Sequence, residues 1–233
     1  MKAGMHILLI NPNTSQQTTA LMLRQARACL PPGVLLHGAT AERGAAMITD
    51  EVGLKIAEQE VLRLGLAFAR GDDSQAGRAL IVAAFGNPGL ALLRAALPAG
   101  VAAFGIGEAA MQQAARDGQG RPRRFGIATT TPGLEASIAA SVAALGLTPW
   151  FSGTHIARGE PLALAADPAL QCERLGDAVA QCVRDGAQAV VIGGGPLSEA
   201  ALWLAPRFQV PVLSPVVAAV QAALAGLALA VTH

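Results

Sequence analysis

Strand-length apolar runs alternate with helix-periodic segments along the whole chain, and most of these runs end in loops rich in Gly, Pro, Asn, Thr or Ser. Residues 6–10 form the first run and stop at Asn11-Pro12-Asn13-Thr14-Ser15. A helical segment carrying Leu21, Leu23 and Ala28 follows, then a strand candidate at 34–36. Residues 49–68 read as a long amphipathic helix with Val52, Ile56 and Val61 on one face. A short run at 80–83, a helix at 88–96 and a strand at 101–106 complete the series. This alternation implies a parallel sheet covered by helices.

The pattern then begins again. Residues 125–128 end at Thr129-Thr130-Thr131-Pro132-Gly133, as the first run ends at Asn11–Ser15. Residues 189–192 lead into Gly193-Gly194-Gly195-Pro196, as residues 79–83 lead into Ala84-Phe85-Gly86-Asn87-Pro88, and an offset of 110 carries Ala84 onto Gly194. An offset of 109 carries Ala110 onto Ala219 and Gln112 onto Gln221. Three blocks in one order argue for a duplicated half, with chance matching of Ala-rich segments as the competing explanation. The expected fold class is α/β: two pseudo-symmetric, flavodoxin-like domains with parallel sheets and a cleft between them.

Composition removes several function classes. Seventeen Lys and Arg against sixteen Asp and Glu give a net charge of +1, with 3% aromatic residues and no tyrosine. A nucleic-acid surface needs a basic patch and usually stacking rings, so no nucleic-acid partner is expected. A hydrophobic fraction of 52% excludes disorder. Cys29, Cys172 and Cys182 have no CxxC spacing and no nearby histidine, so neither a disulfide framework nor a metal site is expected. All three fall in helical segments and read as small buried hydrophobes. Residues 210–231 carry no charge, but Pro211, Ser214, Pro215 and Gln221 interrupt them. They read as a short strand and a buried helix, not a membrane span. The first ten residues lack signal-peptide features, and a cytoplasmic location is expected.

In open parallel sheets, ligands bind where strand ends lead into helix N-termini. The loops at 11–15, 84–89, 129–133 and 193–198 therefore become the candidate site. Their backbone N–H groups and small hydroxyls suit a compact substrate bearing a carboxylate or a polar imide-like ring. Asn11, Asn13, Thr14 and Ser15 serve equally well as strand exit and helix cap. Thr129, Thr130 and Thr131 read likewise, ahead of Pro132 at a first helical position. Gly193-Gly194-Gly195 after a strand suits close approach of backbone to a ligand, with no phosphate-loop lysine present. Glu108 stands where a helix begins, and its charge complements the helix dipole there. His155 and Asp185 read as isolated, and Arg121-Pro122-Arg123-Arg124 as a solvated inter-domain loop.

With these loops in place, the chain resembles the aspartate/glutamate/hydantoin racemase superfamily, in its hydantoin/allantoin racemase-like branch. Ile10–Ser15, Ala83–Leu90, Gly105–Ala110 and Val191–Leu197 carry the resemblance, in order and in spacing. It implies paired α/β domains with the active site between them, and a last helix that returns to the first domain. The implied bounds are 1–98 plus 214–233 for the first domain and 99–213 for the second. The family's mechanism uses two cysteines, one per half, as acid and base on opposite faces of the substrate carbon. The corresponding positions here are Ala84 and Gly194, which cannot transfer a proton. None of the chain's three cysteines lies at a matching loop. Substrate-binding roles are expected for Asn11, Asn13, Thr14, Ser15, Phe85, Gly86, Asn87, Glu108, Thr129, Thr130, Gly194, Gly195 and Pro196. The resemblance implies a cofactor-independent isomerase acting on a small carboxylate, ureide or hydantoin-like substrate, and a homo-oligomer. A lyase or hydrolase using the same pocket, or a non-catalytic binding protein, are the alternatives.

Overall fold

The computed structural model describes residues 5–71 and 77–231, with side chains to residue 228. The remaining residues of the expected domain bounds, 1–4, 72–76 and 232–233, lie outside the described residues. Two four-stranded parallel sheets carry the fold. The first contains β1 (Met5–Asn11), β2 (Val34–Thr40), β3 (Gly77–Val82) and β4 (Val101–Gly105), in the order β2-β1-β3-β4. The second contains β5 (Phe125–Thr129), β6 (Phe151–Ile156), β7 (Val190–Ile192) and β8 (Val212–Leu213), in the order β6-β5-β7-β8. The same order in both sheets matches the repeat in the sequence.

Position in the sheet explains strand composition. In β1, residues 7 to 10 are at most 5% exposed, and every residue of β5 and β7 is buried. These central strands meet helices on both faces, so unbroken Ile, Leu and Val runs are what they require. β6, with sequence FSGTHI, lies at an edge and is half-buried throughout. It has no apolar run, so the sequence pattern does not mark it as a strand.

Helices α1 (Gln16–Arg27), α2 (Glu51–Ala69), α3 (Leu90–Ala96) and α4 (Ile106–Ala114) serve the first half. Helices α5 (Glu135–Ala144), α6 (Pro161–Ala166), α7 (Pro168–Arg184) and α8 (Ser198–Leu204) serve the second. Local chemistry starts them where they start: the Ser15 hydroxyl accepts from the Thr18 N–H, Asp50 from Gly53, and Asp167 from Ala169 and Leu170 with Pro168 at the first position. On α2 the buried face carries Leu54, Ala57 and Val61, whereas Val52 and Ile56 are exposed. The expected shared face fails because nine residues make two and a half turns, so Val52 and Val61 point in opposite directions.

Helix α9 (Pro215–Val231) is the charge-free segment, and it packs on α4, β3, β4 and α1 of the first half. Gly226 lets the Phe104 ring approach, since a Cβ there would stand 2.7 Å from the ring. The boundary expected at 98/99 needs correction. β4 follows it and pairs with β3, Arg78 with Val101 through Val82 with Gly105. Residues 97–100 therefore form a helix-to-strand turn, closed by Gly100 at φ +85°, and not a domain linker. Among the described residues no helix is long and apolar enough to cross a membrane.

Candidate functional site

A cavity of about 450 Å³ opens at the carboxyl ends of both sheets, within the size range of small-molecule sites. The loops after β1, β2 and β3 line one side and those after β5, β6 and β7 the other. The halves touch around it. A Cβ at Gly195 would stand 2.9 Å from the Ala83 carbonyl oxygen, and one at Gly193 would stand 3.4 Å from the Phe85 ring. One at Gly133 would stand 2.6 Å from the Thr49 carbonyl oxygen. Close backbone approach therefore requires glycine at 195 and 133, whereas the Gly193 contact with the Phe85 ring is an ordinary one.

Nine of the expected positions reach the wall: Asn13, Ser15, Ala84, Phe85, Gly86, Thr130, Gly194, Gly195 and Pro196. Asn13 turns its amide oxygen inward to the Asn11 amide and the Ser15 N–H, at 2.7 and 2.9 Å. Its amide nitrogen makes no hydrogen bond among the described residues. Thr130 is fully buried, and its hydroxyl has no partner among the described residues. Gly194 differs from its neighbours: the nearest atoms to a Cβ there belong to the Leu197 side chain, at 3.1 Å.

The other five lie outside the cavity lining and brace the wall from behind. The buried Asn11 amide lies 2.7 Å from Asn13 Oδ1 and 3.0 Å from both the Ser15 carbonyl and Thr19 Oγ1. Thr14 donates its N–H to the Ala45 carbonyl at 3.0 Å. Asn87, at φ +49°, accepts from the Gly107 N–H at 3.2 Å and ties the β3 loop to α4. Thr129 donates to the Gly193 carbonyl at 2.6 Å, fixing the triple-glycine loop to β5. Glu108 turns to Arg94, with contacts of 2.9 and 3.2 Å, away from the cavity.

Sequence reasoning misses the walls supplied by the outer strands. Met47 and Ile48 come from the loop after β2, and Leu162, Gln171 and Cys172 from the loop and helices after β6. The strand-end rule accounts for Leu162, Gln171 and Cys172 once β6 is placed, and for Met47 and Ile48 at the end of β2. Trp203 joins them from α8, at 67% exposure. Cys172 is therefore a cavity residue, not a buried hydrophobe, and Cys29 lies in the turn beyond α1. Only Cys182 is fully buried, and its thiol is pushed up to about 12 by burial and by the nearby Asp185 charge. His155 and Asp185 are partners, 2.8 Å apart, because β6 and α7 pack together, and neither lines the cavity.

The cavity is mostly apolar, with neutral donors at its polar end. Among the described lining residues there is no Lys, Arg, His or Asp, and the one charged side chain is the exposed Glu199. A desolvated carboxylate would find no cation here, whereas a neutral ring with N–H and C=O groups would find amide, hydroxyl and backbone partners. Among the described residues no cluster of three or more His, Cys, Asp or Glu could hold a metal ion.

The Asp/Glu/Hydantoin racemase family model matches residues 7–223. A hydantoin racemase of Rhizobium meliloti is 31% identical over 224 residues, spanning 94% of this chain and 87% of that one. A hydantoin racemase of Paenarthrobacter aurescens is 26% identical over 220 residues, spanning 94% and 89%. Among solved structures, an allantoin racemase from Klebsiella pneumoniae superposes with a TM-score of 0.85 at 29% identity, covering 97% of this chain and 89% of that one.

Proposed function

The chain belongs to the Asp/Glu/hydantoin racemase family, and on that premise we propose that it is a cofactor-independent racemase-type isomerase acting on a small, uncharged cyclic ureide or imide of the hydantoin kind. The observation that carries the choice of substrate is the cation-free cavity, with the Asn13 amide, the Thr130 hydroxyl and the glycine-rich loops among its polar groups. A dicarboxylate such as aspartate would need charged partners that this wall lacks. The hydantoin and allantoin racemase relatives support the same class.

The reaction removes a proton from the carbon beside a ring carbonyl and returns one to the opposite face. The negative charge then resides on the carbonyl oxygen, where pre-positioned donors stabilise it without reorganising. Ala84 and Gly194 cannot take part in proton transfer, so the base must come from another part of the wall. The same two residues favour a second reading, a non-catalytic ligand-binding protein.

Single enantiomers of a 5-substituted hydantoin, allantoin, aspartate and glutamate, incubated with pure protein in D₂O, test the proposal. Deuterium should enter at the stereocentre of a hydantoin or of allantoin, with loss of optical rotation, and should not enter aspartate or glutamate. Exchange in none of them overturns the proposal, and thermal stabilisation without exchange establishes the binding reading.

A further inference from the structure

Proton abstraction at this site needs a group that the strand-end loops do not supply. Among the described lining residues, two side chains have the chemistry of a base: Glu199, which is exposed, and Cys172, which is half-buried. We propose that Cys172 is the proton-transfer group of this cavity, a thiol supplied by α7 in place of one at the end of β3 or β7. The proposal rests on the racemase reading above.

The position of Cys172 follows from the helix. The buried stripe of α7 runs through Leu175, Val179 and Cys182, at the three- and four-residue spacing of one helical face. Cys172 extends that stripe by one step toward the helix N-terminus. Lower down, the stripe packs on β5 and β6. At Cys172 the helix has risen to the carboxyl end of the sheet, and the same face borders the cavity beside Gln171 and Pro168. The two thiols of one stripe thus have opposite environments. Cys182 is sealed in the core, donating to the Ile127 carbonyl at 3.5 Å. Cys172 lines the space where a ligand would sit.

An independent feature marks that space as a ligand site. The hydroxyl of Thr130, in the same wall, is fully buried and unpartnered, and a buried hydroxyl left unpaired costs stability unless something binds it. A ring C=O or N–H meets that need. In the reaction the C–H bond breaks, its electron pair passes into the adjacent carbonyl to form an enolate, and the proton forms the S–H bond of Cys172. Water in the open cavity protonates the opposite face, and the hydroxide so formed takes the thiol proton, restoring the thiolate.

The test uses the native protein and the variants C172A, C172S and C29A, with the 5-substituted hydantoin as probe. C172A and C172S should lose deuterium exchange by about 10²- to 10⁴-fold while keeping the wild-type melting temperature, and C29A should exchange within about two-fold of wild type. Iodoacetamide, mapped by peptide mass spectrometry, should alkylate Cys172 in step with loss of exchange, and the hydantoin should slow that alkylation but not that of Cys29. Undiminished exchange in C172A, or in wild-type protein fully alkylated at Cys172, overturns the proposal and leaves the racemase reading intact. Wild-type protein that exchanges no substrate overturns both. Should C172A and C172S fail to fold, the alkylation experiment on native protein decides.

Discussion

The loops after β1 and β5 occupy matching places in the two sheets, yet they use their polar groups in opposite ways. In the first, the Asn11 amide meets three acceptors, Asn13 Oδ1 takes two donors and the Ser15 hydroxyl caps α1. In the second, Thr129 is tied to Gly193 but Thr130 is buried with its hydroxyl unmatched. The first loop satisfies its own groups and acts as scaffold. The second leaves a buried hydroxyl without a partner among the described residues, beside the cavity.

The largest effect should come from exchanging these two roles. Asn11→Ala removes every side-chain tie that Asn11 makes within the loop and leaves the buried Asn13 N–H without its acceptor, and should cost about 2–4 kcal/mol in urea unfolding, with loss of function following from the loosened loop. Thr130→Val removes only the unmatched oxygen and should change stability by less than about 1 kcal/mol, while weakening hydantoin binding about 3- to 10-fold. If Thr130→Val proves as destabilising as Asn11→Ala, the contrast between the loops is wrong.

A smaller effect should distinguish neighbours in the triple-glycine loop. At Gly195 a Cβ would press on the Ala83 backbone at 2.9 Å and the Met22 sulfur at 2.6 Å, so Gly195→Ala should cost about 1–3 kcal/mol. At Gly194 the nearest atoms belong to the Leu197 side chain, which can move, so Gly194→Ala should cost less than about 1 kcal/mol. Equal costs by urea unfolding would mean that the seam between the halves is not set at Gly195.

The central strands were legible because burial on both faces demands continuous apolar runs, and the site loops because they sit at the ends of those strands. β6 was not legible, since its sequence FSGTHI is half-buried throughout and carries no apolar run, and the Leu162 and Cys172 wall was lost with it. Nor could composition say which way a loop side chain turns. Asn11 and Asn13 are two residues apart and chemically identical, yet one is locked in the scaffold and the other keeps an amide nitrogen for the cavity. That choice depends on partners such as Thr19, which the local loop pattern does not reveal.

The smallest effect concerns the outer edges of the two sheets. On β2, His37 stacks on His6 of β1, with ring nitrogens 3.2 Å apart, and lies against Phe68, whose ring also faces the Arg78 guanidinium. On β6, His155 meets the Asp185 carboxylate instead. Burial, and then the neighbouring His6, hold His37 below its ordinary value. The unfolded chain therefore takes up this proton first as pH falls below about 6.5, the value for an unperturbed histidine. Stability from this position is complete above that pH and declines as pH falls toward the depressed folded value. Urea midpoints measured from pH 7.5 to 5.5 should fall in the wild type and fall less steeply in His37→Gln, because the variant removes the group whose charging the fold resists. An unchanged slope in His37→Gln would remove the histidine pair as a source of acid sensitivity and leave the two sheet edges equivalent in this respect.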